Sequence, residues 1–229
     1  MVTPPDASAE SRLRAALQAQ SSSERLQAAL AAGTYPRPEY VDVLLDRCAI
    51  ERDFLVRDMM TWSLTRHPVA LTVPRLLHEA ESPTAQARSQ ALHSLSKIGD
   101  PRGWSAITSA RLADTNDEVA RSAWRAGVIL VPEGSEGQLA VELVKQLGRG
   151  GRDLQSSLTR AISALGSHAD AALEAVARHE SPEVRLHAVA TQYTIEHPEE
   201  GFDSAMFEAE RIIAFPAPLP PSGDDDVLS

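Results

Sequence analysis

The sequence predicts an all-α fold, a right-handed α-solenoid of about six helix–turn–helix repeats, and three observations carry that expectation. Apolar residues recur at helical spacing behind regularly placed arginines. Glycine and proline punctuate the chain at matching intervals. Aromatic residues make up only 4% of it, with alanine and leucine dominating the apolar set. Thin side chains suit helices packed closely on helices, and β-branched, aromatic-rich strand runs are nearly absent.

The repeat is clearest in ARSQALHSLSKIG, where Arg88 is followed by Ala91, Leu92, Leu95 and Ile98, with Gly99 closing the stripe. Such a glycine can take the left-handed conformation that ends a helix. Similar stripes follow Arg25, Arg57, Gln155 and Arg185, and a further one follows Ala120 or Arg121, one residue uncertain. With Arg121 as that anchor, the anchors lie 32, 31, 33, 34 and 30 residues apart. A second, shorter apolar helix is expected after each, over 38–49, 72–81, 103–114, 136–147, 169–179 and 200–214. Neither helix of a unit can bury its stripe alone, so stacked neighbours must share one core.

The pattern carried by ESPEVRLHAVA and ARSQALHSLSKIGDPRGW, and more loosely by FLVRDMMTWSLTRHP and NDEVARSAWRAGVILVP, resembles the HEAT repeats of the phycobilisome-lyase-like family. The resemblance covers roughly residues 21–214 and implies a HEAT/ARM-like superhelix. It says little about activity, because such repeats serve scaffolds, lyases, hydroxylases and DNA-repair enzymes alike.

The punctuation agrees. Ser82-Pro83 and Ser181-Pro182 offer an N-cap oxygen followed by a helix-ready proline, and Asn116 caps the fourth unit. His67-Pro68, Asp100-Pro101, Val131-Pro132 and His197-Pro198 mark the turns inside units. Residues 9–19 read as an N-terminal cap helix of a solenoid domain spanning 9–214. Residues 1–8, and the Pro-rich acidic tail 215–229 with its Pro218 and Pro221 at PxxP spacing, are expected to be disordered.

The formal net charge of −10 makes nucleic acid an unfavourable partner. The one cysteine, Cys48, sits in an apolar run and reads as a buried thiol. No apolar run reaches the length of a membrane span and no signal pattern opens the chain, so a cytoplasmic protein away from membranes is expected.

Two His-Glu pairs, His78-Glu79 and His179-Glu180, invite a metal reading, because the resemblance extends to di-iron hydroxylases with His-Glu ligands. Their offsets to the anchors, ten and six residues, differ, and both end a second helix rather than begin a first. A helix C-terminus favours histidine in any case, so no metal, cofactor or catalytic residue is expected. LGRGGRD (147–153) reads as a flexible connector rather than a phosphate cradle, since no strand precedes it. The resemblance implies that the anchor arginines pair with acidic or carbonyl groups of the neighbouring unit, with Asp53, Asp58, Asp114, Asp117 and Glu183 as nearby acids. Trp62, Trp104 and Trp124 are expected in the core, Trp104 with an edge exposed.

The expected function is therefore that of a non-enzymatic interaction or scaffold protein. A protein or peptide partner would lie on the concave face lined by the second helices. Arg75, His78, Glu79, Trp104, Arg111, Lys145 and Arg178 are the candidate contacts, a mixed-charge set suited to a peptide. Two alternatives stand beside it: a HEAT-like lyase or metal-dependent hydroxylase, implied by the resemblance, and a helical-repeat DNA glycosylase-like nucleic-acid binder, suggested by tryptophan and arginine on curved repeats. The sequence does not fix the oligomeric state.

Overall fold

A computed structural model of the protein describes residues 8–215; the two expected disordered ends lie outside them apart from Ser8 and Phe215. Among the described residues the chain is helical throughout, with no strand. In chain order the α-helices are α1 (Ala9–Leu17), α2 (Ser22–Thr34), α3 (Tyr40–Cys48), α4 (Phe54–Thr65) and α5 (Val69–Glu79). There follow α6 (Ala85–Ile98), α7 (Ser109–Leu112), α8 (Asp117–Leu130), α9 (Glu136–Val144) and α10 (Arg152–Ser163). The last three are α11 (Asp170–Val176), α12 (Pro182–Glu196) and α13 (Phe202–Ala214).

Even-numbered helices from α2 to α12 stack on one another in order and form a first layer. Helices α3, α5, α7, α9 and α11, with short 3-10 turns at Pro101–Ala106 and Gly166–Ala169, stack behind them as a second. This is the stacking of an α-solenoid, in which each unit touches only its neighbours.

Side-chain caps fix four of the six first-layer starts from α2 to α12. Ser21, Asp53, Asn116 and Ser181 accept backbone N–H groups of the following turn, and the repeat anchor falls four residues after each. That offset places the fourth anchor at Ala120, leaving Arg121 one step around the helix. Ser82 does not cap as expected. Helix α6 starts two residues later behind Thr84, and the Ser82 hydroxyl accepts from the Thr84 N–H instead. Gly99, at φ 69°, closes α6 in the left-handed conformation.

One core runs from Leu13 in α1 to Ala188 in α12, with Leu76, Leu92, Leu143 and Leu173 sealed from solvent. Each such leucine stabilises the fold by about 2 kcal/mol. Trp124 is its largest member, with its indole N–H donating to the Leu112 carbonyl at 2.8 Å. Trp104 is half-buried at the core's edge, whereas Trp62 is 39% exposed, contrary to its expected core position. The helix expected over 103–114 is broken into the 3-10 turn and the four-residue α7. Helix α13 also departs from the repeat. It packs on Leu186, Val189, Ala190 and Tyr193 of α12 as a separate small core, closing the end of the first layer.

First-layer helices meet through small residues, as in the hydroxyl contacts Ser89–Ser122 and Thr159–Thr191, both 2.9 Å. Gly33 takes this furthest: a methyl there would collide with the Trp62 ring and lie 2.8 Å from Ser63 Cα. A mid-helix Gly-to-Ala exchange normally stabilises by about 1 kcal/mol. Here Gly33→Ala is expected to destabilise by about 1–3 kcal/mol, read from urea midpoints, because Trp62 can turn aside but the α4 backbone cannot.

Candidate functional site

The anchor arginines bind backbone first. Arg25, Arg57, Arg88 and Arg185 each donate from Nη1 to the carbonyls five and six residues upstream, at 2.7–3.1 Å. Two of them also grip a carboxylate 26 residues downstream: Arg25 holds Glu51 and Arg88 holds Asp114. Of the five acids expected to serve the anchors, Asp114 alone takes such a two-pronged grip. Glu51 and Asp114 each accept the N–H of the residue two further on, Asp53 and Asn116, which caps the next first-layer helix. A single acid thus ties the start of one unit to the start of the next. At Ala120, where the anchor has no side chain, Arg149 reaches the Asp114 carbonyl at 2.6 Å and the Asp117 carboxylate at 2.7 Å. Gly148 N–H also donates to His187 Nδ1, so the expected flexible connector is pinned at two adjacent residues, Gly148 and Arg149.

These bonds consume several of the expected partner contacts. Arg111 donates to the Ala80 carbonyl at 2.7 Å and pairs with Glu81, so it joins units rather than facing a partner. Arg75 pairs with Asp42, and Lys145 with Glu142. His78 and Glu79 do share a groove with Asp42, Asp46, Pro74 and Arg75 between α3 and α5. Trp104 lies in the 3-10 turn, and Arg178 borders a separate shallow depression with Glu174 and Gln192. The seven residues therefore line no single groove.

A longer groove lies on the first layer. This open groove, of about 380 Å³, crosses α6, α8 and α10 and is lined by His93, Lys97, Arg125, Ile129, Arg160 and Ala161, among others. Among the described residues Arg125 reaches only the Ser157 hydroxyl, at 3.4 Å, and Arg160 bonds only Ser156 of its own helix. Burial, then the charges of Arg121 and Arg160, lower the Arg125 pKa against a smaller pull from Glu118. His93 is likewise lowered, by burial and by Lys97 and Arg125 against Asp58, and stays neutral at pH 7. The groove is cationic on a chain whose net charge is −10.

Sequence reading missed these residues, although the repeat contains the signal. Five positions past each anchor, counting from Ala120 in the fourth unit, stand Leu30, Trp62, His93, Arg125 and Arg160. All but the half-buried His93 are exposed. The sixth, Ala190, is buried because α13 covers it.

The histidines do not converge. His78-Glu79 and His179-Glu180 end α5 and follow α11, far apart in the stack. The candidate metal-ligating group among the described residues is His197, Glu199 and Glu200, at the turn before α13. Glu200 already accepts from the Tyr193 and Ser204 hydroxyls. His187 is sealed: Nδ1 accepts from Gly148 N–H at 3.0 Å, while Nε2 faces the Thr159 hydroxyl and the Gln155 carbonyl. Burial holds its pKa down at about 4. Burial also pushes the Cys48 thiol up to about 12, leaving it a packing residue.

No protein-family model matches the chain, and no curated protein matches it either. Among solved structures, an engineered protein is 13% identical over 85% of this chain and 100% of its own, with a TM-score of 0.45. The complex of CpcE and CpcF of phycocyanin lyase from Nostoc sp. PCC7120 is 20% identical over 93% of this chain and 96% of its own, with a TM-score of 0.34. At these scores the helical-repeat architecture rests on the chain's own stacking pattern.

Proposed function

We propose that the protein is a non-enzymatic interaction module that holds a segment of a protein or peptide partner along a face of its solenoid. The groove over α6, α8 and α10 supports this reading, because it belongs to no single unit and exists only through their stacking. Among the described residues Arg125 and Arg160 form no ion pair with a carboxylate, their side-chain bonds going to Ser157 and Ser156, and Ile129 in the same groove is 62% exposed. Charge next to apolar surface suits a protein ligand better than a uniform polyanion. No helix among the described residues is long and apolar enough to cross a membrane.

The test is reconstitution. Proteins retained by the full-length chain from an extract of its host are purified singly and mixed with it, and light scattering reads the mass. A complex of fixed stoichiometry with at least one of them is the expected result. If none forms a defined complex, whichever face is considered, the interaction reading fails.

A further inference from the structure

Resting on that reading, we propose that the first layer carries a polar-to-apolar track recognising an extended segment with aliphatic or aromatic residues at one end and acidic residues at the other. The row five positions past the anchors changes character along the solenoid. Leu30 and Trp62 are apolar, His93 is neutral at pH 7, and Arg125 and Arg160 are cationic. Lys97 and Arg121 strengthen the cationic end, where Glu118, 3.9 Å from Arg121, is the nearby acid.

The apolar end is equally defined. Leu55 and Trp62 lie two helical turns apart on the outward side of α4, 65% and 39% exposed, with Met59 half-buried between them against the core. On α2, which packs against α4, the equivalent repeat position is Leu30, also exposed. An apolar strip on solvent, running into a cationic one, is what a segment of matching polarity would cover.

Geometry sets the ligand's spacing. Packed helices lie about 10 Å apart, and an extended chain advances about 3.3 Å per residue. One contact residue in every three therefore meets successive units, and a segment of about 13 residues reaches from Leu30 to Arg160. Helix α13, folded over Ala190, stops the track at the next unit. Nucleic acid shares the anionic chemistry but not the apolar end, and the net charge of −10 opposes it at long range.

The probe is a fluorescein-labelled 15-residue peptide with leucines at every third position of one half and aspartates at every third position of the other, serine and glycine filling the rest. Fluorescence anisotropy against the full-length chain should show binding that falls about tenfold when leucines and aspartates are interleaved, a difference of about 1.4 kcal/mol. The double variant R125E/R160E, both side chains exposed, should lose binding by more than that. R75E, on the second layer, should leave it unchanged. A photocrosslinker in the leucine half should label α2 or α4, and one in the aspartate half α8 or α10. A single-stranded oligonucleotide of equal charge should compete poorly. Equal competition, equal binding of the interleaved peptide, or labelling of the second layer overturns the track. None of these outcomes touches the reconstituted complex, so the track can fall while the interaction reading stands. Circular dichroism and thermal melting of the variants separate lost contact from lost fold.

Discussion

Replacing Glu51 with glutamine is expected to lower the free energy of unfolding by about 3 kcal/mol or more, because it breaks a buried ion network while leaving both cations behind. Glu51 is fully buried. Its carboxylate accepts from Arg25 Nε at 2.7 Å and Nη2 at 2.9 Å, from Arg47 Nη2 at 2.6 Å, and from the Asp53 N–H at 2.9 Å. Glutamine offers one acceptor and one donor where the site supplies only donors. Its amide would point at a guanidinium.

The consequence is local before it is global. Glu51 joins α2 to the start of α4, and a solenoid unit is supported only by its neighbours. Hydrogen exchange should therefore rise across α2, α3 and the first turn of α4 while α10 and α12 keep their protection. For a chain of this size the melting temperature should drop by about 6–12 °C. Glu118→Gln, at an exposed acid, should change stability by less than about 0.5 kcal/mol. A loss below about 1 kcal/mol for Glu51→Gln, or protection lost evenly along the chain, would sink the account.

Glu51 also marks how far the sequence could be read. Helical stripes are local, so the first-layer helices and their anchors are legible from spacing alone. The acid that answers an arginine 26 residues away is not. Within AIERD, Glu51 looks like any surface carboxylate until the loop folds over it. The same limit moved Arg121 out of its anchor place. A stripe is uncertain by one residue, and only the cap at Asn116 settles that Ala120 is the anchor. Once the register is fixed, the sequence yields the Leu30-to-Arg160 row directly. The second layer offers no such row of free charge, because Arg75, Arg111 and Lys145 are paired there with Asp42, Glu81 and Glu142. Trp62 was misplaced for a related reason. Bulk at helical spacing suggests core, but Gly33 opposite it brings two backbones so close that the ring is displaced outward.

Acid should lower the stability of the protein over two successive pH windows. An imidazole in the unfolded chain takes its proton near pH 6.5, whereas burial keeps His187 neutral in the native state until about pH 4. Between those values the unfolded state binds more protons, so stability rises with pH there and is lost on acidification, by about 3 kcal/mol in total. Arg152 is the charge that bears on this ring, and it acts in the same direction. His93, lowered by burial and by Lys97 and Arg125, adds a slope of the same sign. Glu51 follows in a lower window. Burial pushes its pKa up, but Arg25, the Asp53 N–H and Arg47 outweigh that and hold it at about 2, against 4.5 when unfolded. Its share, again about 3 kcal/mol, is present above pH 4.5 and drains away towards pH 2. Urea titrations at pH 7.5, 5.5, 4 and 3 measure both windows. His187→Gln keeps an acceptor for Gly148 and a donor for Gln155, so it should flatten the upper window to the share of His93 alone. Glu51→Gln should instead leave the upper slope intact and flatten the lower one. If His187→Gln leaves the slope between pH 6.5 and 4 unchanged, the ring is not held neutral by its burial. The tie between the Gly148 connector and α12 would then have to be explained by packing alone.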